Sequence, residues 1–221
     1  MSTIKVLSTK KLSISERFIL SDAKFSLIEE DFIRIQLIKF DAKTNFDLLL
    51  FTSKNAVWSI LKNEKHELLR QIKCICVGEK TKELLEKNGF KVLDFAHYAE
   101  DLTQIISKKY SDKSFAFFCG NLRRDVLPDF FKENKIEFSE FQVYHNEFTS
   151  QKIQEDFDVV LFFSPSGVQS FLEKNTLAHQ ICFCIGTTTK QALTPHTKNV
   201  VLSEKPIITS VLNEVARYFL K

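Results

Sequence analysis

The residues of this chain that can carry chemistry are hydroxyls, amides and glycines placed just after short apolar runs. Ser53 follows LLLFT, Ser164 and Ser166 flank Pro165 after VVLFF, and Thr187, Thr188 and Thr189 follow an Ile-Gly pair after ICFC. Asn55, Gly120, Asn121, Arg124 and Gly167 stand in the same relation to a preceding apolar run. Such a set suits an anionic ligand, because helix N-terminal amides favour negative charge and glycine lets backbone approach closely. Ordinary turns and N-caps demand the same residue types, so no single position decides between the two readings. Tyr144 is different in kind, a phenol inside the alternating segment FQVYHNEF (141–148). A phenol stays protonated at neutral pH and can donate to a leaving group; equally, it can serve as a packing residue.

Other chemistries lack their spacing. The chain has no G-x-G-x-x-G and no G-x-x-x-x-G-K-[ST], so neither a dinucleotide nor a P-loop nucleotide has a fingerprint. It has no G-x-S-x-G elbow and no H-E-x-x-H. His66, His97, His145, His179 and His196 show no ligand spacing and read as surface residues. Two C-x-C pairs, Cys74/Cys76 and Cys182/Cys184, each point to one face of a strand. A zinc site would need a second pair or a histidine at metal-ligand spacing, so these cysteines and Cys119 read as small core residues. No metal and no cofactor is therefore expected. A net charge of +3 without a long Lys/Arg run argues against a general nucleic-acid binder. No apolar stretch reaches bilayer length and the N-terminus lacks a signal-peptide apolar region, so the expectation is a cytoplasmic protein without a membrane partner, and a monomer.

The elements that position these residues are legible from a repeat. Residues 47–61, DLLLFTSKNAVWSIL, align without gaps on 158–172, and 73–85, KCICVGEKTKELL, align on 181–193. The first pair shares Asp, Leu, Phe, Ser, Val, Ser and Leu; the second shares both cysteines, the glycine, Thr81/Thr189, Lys82/Lys190 and the last leucine. Each copy reads as strand–turn–helix twice, the grammar of a parallel α/β sheet. An internal duplication accounts for this, with convergence of two βαβ units as the alternative. With 221 residues, 44% of them hydrophobic, two small domains can each bury a core.

Counting strands sets the expected topology. The first copy is followed by three more strands before FQVYHNEF, giving five, whereas the second copy is followed by one, giving three. The N-terminal βαβ of residues 4–28 is the remaining supply, so the chain should begin in one domain, cross into another and return. The expected fold class is α/β, two similar domains each with a parallel five-stranded sheet flanked by helices. The discontinuous domain is placed at 1–35 plus 149–221 and the inserted one at 41–140. The linkers, 36–40 and 141–148, fall on the two alternating segments and should pair as a two-stranded ladder. Ligands of such sheets bind beyond the carboxyl ends of the strands, which is where the residues above stand.

Taken in order, LLLFTSKNAV, CVGEKTKELL, FCGNLRRDVL, VYHNE, VLFFSPSGVQSFL and CIGTTTKQAL resemble the motifs of the uroporphyrinogen-III synthase family over nearly the whole chain. The resemblance implies a cofactor-free enzyme that cyclises the linear tetrapyrrole hydroxymethylbilane, with inversion of the terminal ring. It implies a role for Tyr144 in departure of the substrate hydroxyl. It also implies substrate contacts from Ser53, Asn55, Gly120, Asn121, Arg124, Ser164, Ser166, Gly167, Thr188 and Thr189. Two departures stand out: Thr9-Lys10-Lys11 where the family often has Thr-Arg-Pro, and Cys119 where an arginine is frequent. From the residues alone, a non-catalytic two-domain protein that closes on a small anionic ligand remains the alternative, while the missing phosphate loops disfavour a nucleotide-dependent transferase.

Overall fold

Runs of apolar residues too short for a helix, stopped by a hydroxyl or glycine, become strands buried on both faces, and the polar-apolar stretches after them become covering helices. In the computed structural model residues 3–41 and 43–220 are described. They form β1 (Ile4–Ser8), α1 (Ile14–Phe18), β2 (Phe25–Glu29), β3 (Ile33–Leu37), β4 (Leu48–Phe51), α2 (Lys54–Leu61), α3 (His66–Arg70), β5 (Cys74–Val77), α4 (Glu79–Lys87) and β6 (Val92–Ala96). The chain continues through α5 (Ala99–Lys109), β7 (Phe115–Gly120), α6 (Val126–Glu133), β8 (Phe138–Phe148), β9 (Val159–Phe162) and α7 (Pro165–Leu172). It ends with β10 (Ile181–Cys184), α8 (Thr187–Leu193), β11 (Val200–Leu202) and α9 (Ile208–Phe219).

The chain divides into two compact units, one of residues up to Arg34 and from Glu147 onward, the other Ile35–Asn146. The first holds a five-stranded sheet, β11-β10-β9-β1-β2, with every pairing parallel. The second is built on the sheet β3-β8-β7-β4-β5-β6, parallel from β8 to β6. The repeat strands occupy corresponding places: β9 and β10 are flanked by β1 and β11 as β4 and β5 are flanked by β7 and β6.

The six-stranded sheet corrects the expectation of five strands in each. A last short strand before a separate linker at 141–148 was expected, but β8 is one continuous strand of 11 residues. No residue between Phe138 and Phe148 forces a turn, so the extended chain runs on. Its outer edge would leave backbone groups unpaired. The other alternating segment, β3, lies beside it, and Ile38 N donates to the Val143 carbonyl at 3.0 Å. The expected ladder is thus an extension of a sheet. α6 begins at Val126, with Pro128 in its first turn where the missing N–H costs nothing. α3, five residues without a side-chain cap, was too short to leave a helical period in the sequence.

Residues shared by the repeats have shared structural duties. Asp47 accepts from the Ser114 amide at 2.9 Å and Asp158 from the Lys5 amide at 2.8 Å, each tying the entry of the central strand to its neighbour. Ser53 and Ser164 cap α2 and α7. On the next turn, Ser59 donates to the Val143 carbonyl at 2.6 Å and Ser170 lies 2.8 Å from the Ser150 hydroxyl. The cysteines Cys74, Cys76, Cys182 and Cys184 are fully buried in the apolar clusters beneath the helices. Burial pushes the Cys76 and Cys182 thiols up to about 12. These side chains are packing material at ordinary pH. Among the described residues no helix is long and apolar enough to cross a membrane.

Candidate functional site

In the Ile35–Asn146 unit the carboxyl ends of β4, β5 and β7 open onto a cavity of about 310 Å³, whose walls include Ser53, Tyr98, Leu122, Arg124 and Tyr144. Ser53 is an N-cap: its Oγ accepts from the Asn55 amide at 3.1 Å, which leaves its own hydroxyl proton to donate. Tyr144, 8% exposed, stands opposite Gly120 in the pairing of β7 with β8, where the register shifts. Burial raises the phenol pKa, and the neighbouring Ser53 hydroxyl partly offsets that. The phenol is therefore a proton donor throughout the neutral range.

The two neighbouring arginines have different fates. Arg123 is engaged by Glu140 and Asp125, with one Glu140 contact at 3.1 Å. Arg124, exposed at the cavity wall, has no ion pair or hydrogen bond among the described residues. It is the guanidinium free to meet an incoming carboxylate, for which its planar fork is suited.

Three expected contact residues do not line this cavity. The Asn55 backbone completes the cap of α2. Asn121 accepts from the Asn146 amide at 2.7 Å and lies 3.3 Å from both the Asn146 carbonyl and His145 Nε2, so its amide holds β8. Gly120 lies under the Tyr144 ring. Conversely, His97, Tyr98 and Glu100, at the start of α5, and Leu122 line the cavity without having been singled out. Their signal was positional: the loop after β6 also follows the carboxyl end of a strand.

The unit containing β9 and β10 carries the second set. Ser164 Oγ accepts from the Gly167 amide at 3.0 Å and lies 3.1 Å from Ser166 Oγ, so the S-P-S-G turn presents two adjoining hydroxyls at the start of α7. α8 packs beside α7, with Thr188 part-exposed and Thr189 buried. Neither threonine hydroxyl has a hydrogen-bond partner among the described residues. Gly186, before them, has extended backbone, and a Cβ there would meet nothing within 4 Å. Thr9 spends its hydroxyl on the Leu161 carbonyl at 2.7 Å, fastening β1 to β9.

In each unit the strand ends present hydroxyls and backbone amides, and in the Ile35–Asn146 unit Arg124 stands beside them without an ion pair among the described residues. The profile described as uroporphyrinogen-III synthase HemD matches residues 25–213. The chain belongs to the uroporphyrinogen-III synthase family.

Among solved structures it resembles uroporphyrinogen-III synthetase from Helicobacter pylori, with a TM-score of 0.75 and 22% identity over 98% of this chain and 100% of that one. It also resembles a mutant uroporphyrinogen III synthase from the extremely thermophilic bacterium Thermus thermophilus, with a TM-score of 0.68 and 12% identity over 99% of each chain. No curated protein matches the sequence. At these identities the structural likeness speaks for the α/β fold with parallel sheets flanked by helices. The family assignment rests on the profile, which reaches from β2 into α9 and so takes in both sets of residues.

Proposed function

We infer that the protein is a uroporphyrinogen-III synthase, a lyase that releases water from hydroxymethylbilane and closes the tetrapyrrole with its terminal ring inverted, in heme biosynthesis. The observation that carries this reading is the family profile spanning 25–213. The two units act as two similar domains, one inserted in the other, each supplying contacts to the substrate. Ser53, Arg124 and Tyr144 serve on one; Ser164, Ser166, Gly167, Thr188 and Thr189 serve on the other. The protein works as a cytoplasmic monomer.

In this mechanism the bond between the terminal carbon and its hydroxyl breaks, the oxygen leaving as water after receiving a proton, and an azafulvene remains. The substituted carbon of the last pyrrole attacks it, forming a spiro intermediate; that ring is then inverted before the macrocycle closes. The pyrrole nitrogens supply the electron push, so the chain's own task is to fold the substrate and hold its ends together. Tyr144 is suited to donate to the departing oxygen: it is buried, protonated and at a cavity wall. Arg124 and the free hydroxyls of Thr188 and Thr189 are suited to the substrate's carboxylates.

Purified protein incubated with freshly prepared hydroxymethylbilane, followed by oxidation and chromatographic separation of isomers, tests the reading. The III isomer should dominate and form faster than spontaneous closure gives the I isomer. Tight binding accompanied only by the I isomer at the spontaneous rate would make the protein a binding module instead.

A further inference from the structure

Gly120 ends β7, buried and directly opposite Tyr144. Its backbone does not require glycine: among the described residues positive φ occurs only at Gly78, Gly89 and Lys135. What it requires is space. A Cβ at position 120 would lie 2.4 Å from Cε2, 2.5 Å from Cζ and 2.9 Å from Oη of Tyr144. Those are the atoms at the phenolic end of the ring, and real Cβ contacts essentially never fall below 3.0 Å.

Nor can the strand easily withdraw. The Val143 carbonyl accepts from Ser59 Oγ at 2.6 Å and from Ile38 N at 3.0 Å. On the other side, Asn121 Oδ1 accepts from the Asn146 amide at 2.7 Å and from Asn146 Nδ2 at 3.1 Å. Backbone on both sides of Tyr144 is thus fastened to α2, to the chain after β3 and to the turn after β7. The ring is the part left to move.

We propose that Gly120 is a positioning residue, whose missing side chain seats the Tyr144 phenol at the cavity wall next to Ser53. That role is distinct from letting the substrate approach the backbone, the reading that the sequence suggested. The clamp formed by Ser59 and Asn121 turns that seat into a fixed orientation of the hydroxyl. The catalytic consequence rests on the proposed role of Tyr144, whereas the seating itself does not.

A stability cycle that needs no substrate tests the seating. Gly120→Ala should lower the midpoint of thermal unfolding in the wild-type background and have no measurable effect in Tyr144→Leu, whose shorter side chain does not reach the added methyl. If Gly120→Ala alone fails to fold, recovery of folding in the double variant is the same result. Equal destabilisation in both backgrounds would mean that the backbone, not the ring, demands glycine, and would overturn the proposal.

Single-turnover formation of the III isomer tests the consequence. Gly120→Ala should lose rate by about the factor that Tyr144→Phe loses, roughly 10- to 100-fold at the low end of general acid catalysis, with substrate affinity close to wild type. It should add no further loss to Tyr144→Leu. Wild-type rate and isomer ratio in Gly120→Ala would refute it. A wild-type protein unable to form the III isomer would instead sink the functional reading and leave the stability cycle to judge the seat.

Discussion

Tyr144→Phe removes one oxygen from a ring that is 8% exposed and belongs to the same apolar cluster as Leu49, Phe118 and Val143. The ring keeps its apolar surroundings, so the stability change should be no more than that of one polar interaction, about 0.5–1.5 kcal/mol. For a chain of this length that is a fall of roughly 2–4 °C per kcal/mol in the unfolding midpoint. Tyr144→Ala also empties the ring's volume, and truncating a buried aromatic costs about 3–5 kcal/mol. Activity should follow a different pattern. A positioned general acid contributes about 10²–10⁴-fold, and a hydroxyl expelled with help from a pyrrole nitrogen needs the least assistance. The Phe variant should therefore lose about 10²-fold or somewhat less in the rate of forming the III isomer, while binding changes little. Because burial raises the phenol pKa above its ordinary value of about 10, the wild-type advantage should persist to at least about pH 9. The assay is single-turnover mixing with hydroxymethylbilane, corrected for spontaneous closure to the I isomer. A Phe variant with wild-type rate and isomer ratio would return Tyr144 to a packing role.

Arg124→Gln should weaken substrate binding about 3- to 10-fold, as expected for an exposed charge-assisted hydrogen bond, and leave thermal stability unchanged; Arg123→Gln, which breaks contacts to Glu140 and Asp125, should mainly lower stability. Equilibrium titration and thermal melts on both variants check the contrast, and equal behaviour would remove it. Burial of Asp94 works toward a higher pKa, but hydrogen bonds from Tyr110 and Lys109 outweigh it and leave the carboxyl below its ordinary value. Stability from this depressed group is present above about pH 4 and lost as pH falls through the folded value. Asp94→Asn should thus destabilise the protein at pH 7, with the gap to wild type closing in acid as pH falls below the ordinary carboxylate range; a gap independent of pH would point to packing alone. A thiol reagent at pH 8 should leave Cys74, Cys76, Cys182 and Cys184 unmodified in the folded protein and label them after denaturation. Rapid labelling of the native state would contradict their burial.

Whatever depends on local pattern was readable along the chain. The gapless alignment of 47–61 on 158–172 carries β4 and α2 onto β9 and α7 residue for residue, because apolar runs, cap serines and turns are written in neighbouring positions. The family is legible for the same reason: its motifs are short segments in a fixed order, matched by the profile over 25–213. Which groups each side chain meets depends instead on how the chain folds back on itself. Gly120 and Asn121 look alike in sequence as turn residues near a ligand, yet one makes room for Tyr144 and the other holds Asn146, since β8 returns beside them from more than twenty residues later. Arg123 and Arg124 are adjacent and chemically identical, and the approach of Glu140 from β8, together with Asp125, engages the first and leaves the second free. The sixth strand was legible only in part: the two alternating segments read as a pair, but not that the second would run on from the strand beside β7 and so join that pair to the sheet. These outcomes depend on pairing register and on the irregularity between Cys119 and Gly120, quantities set by contacts across the fold and absent from any local window of the chain.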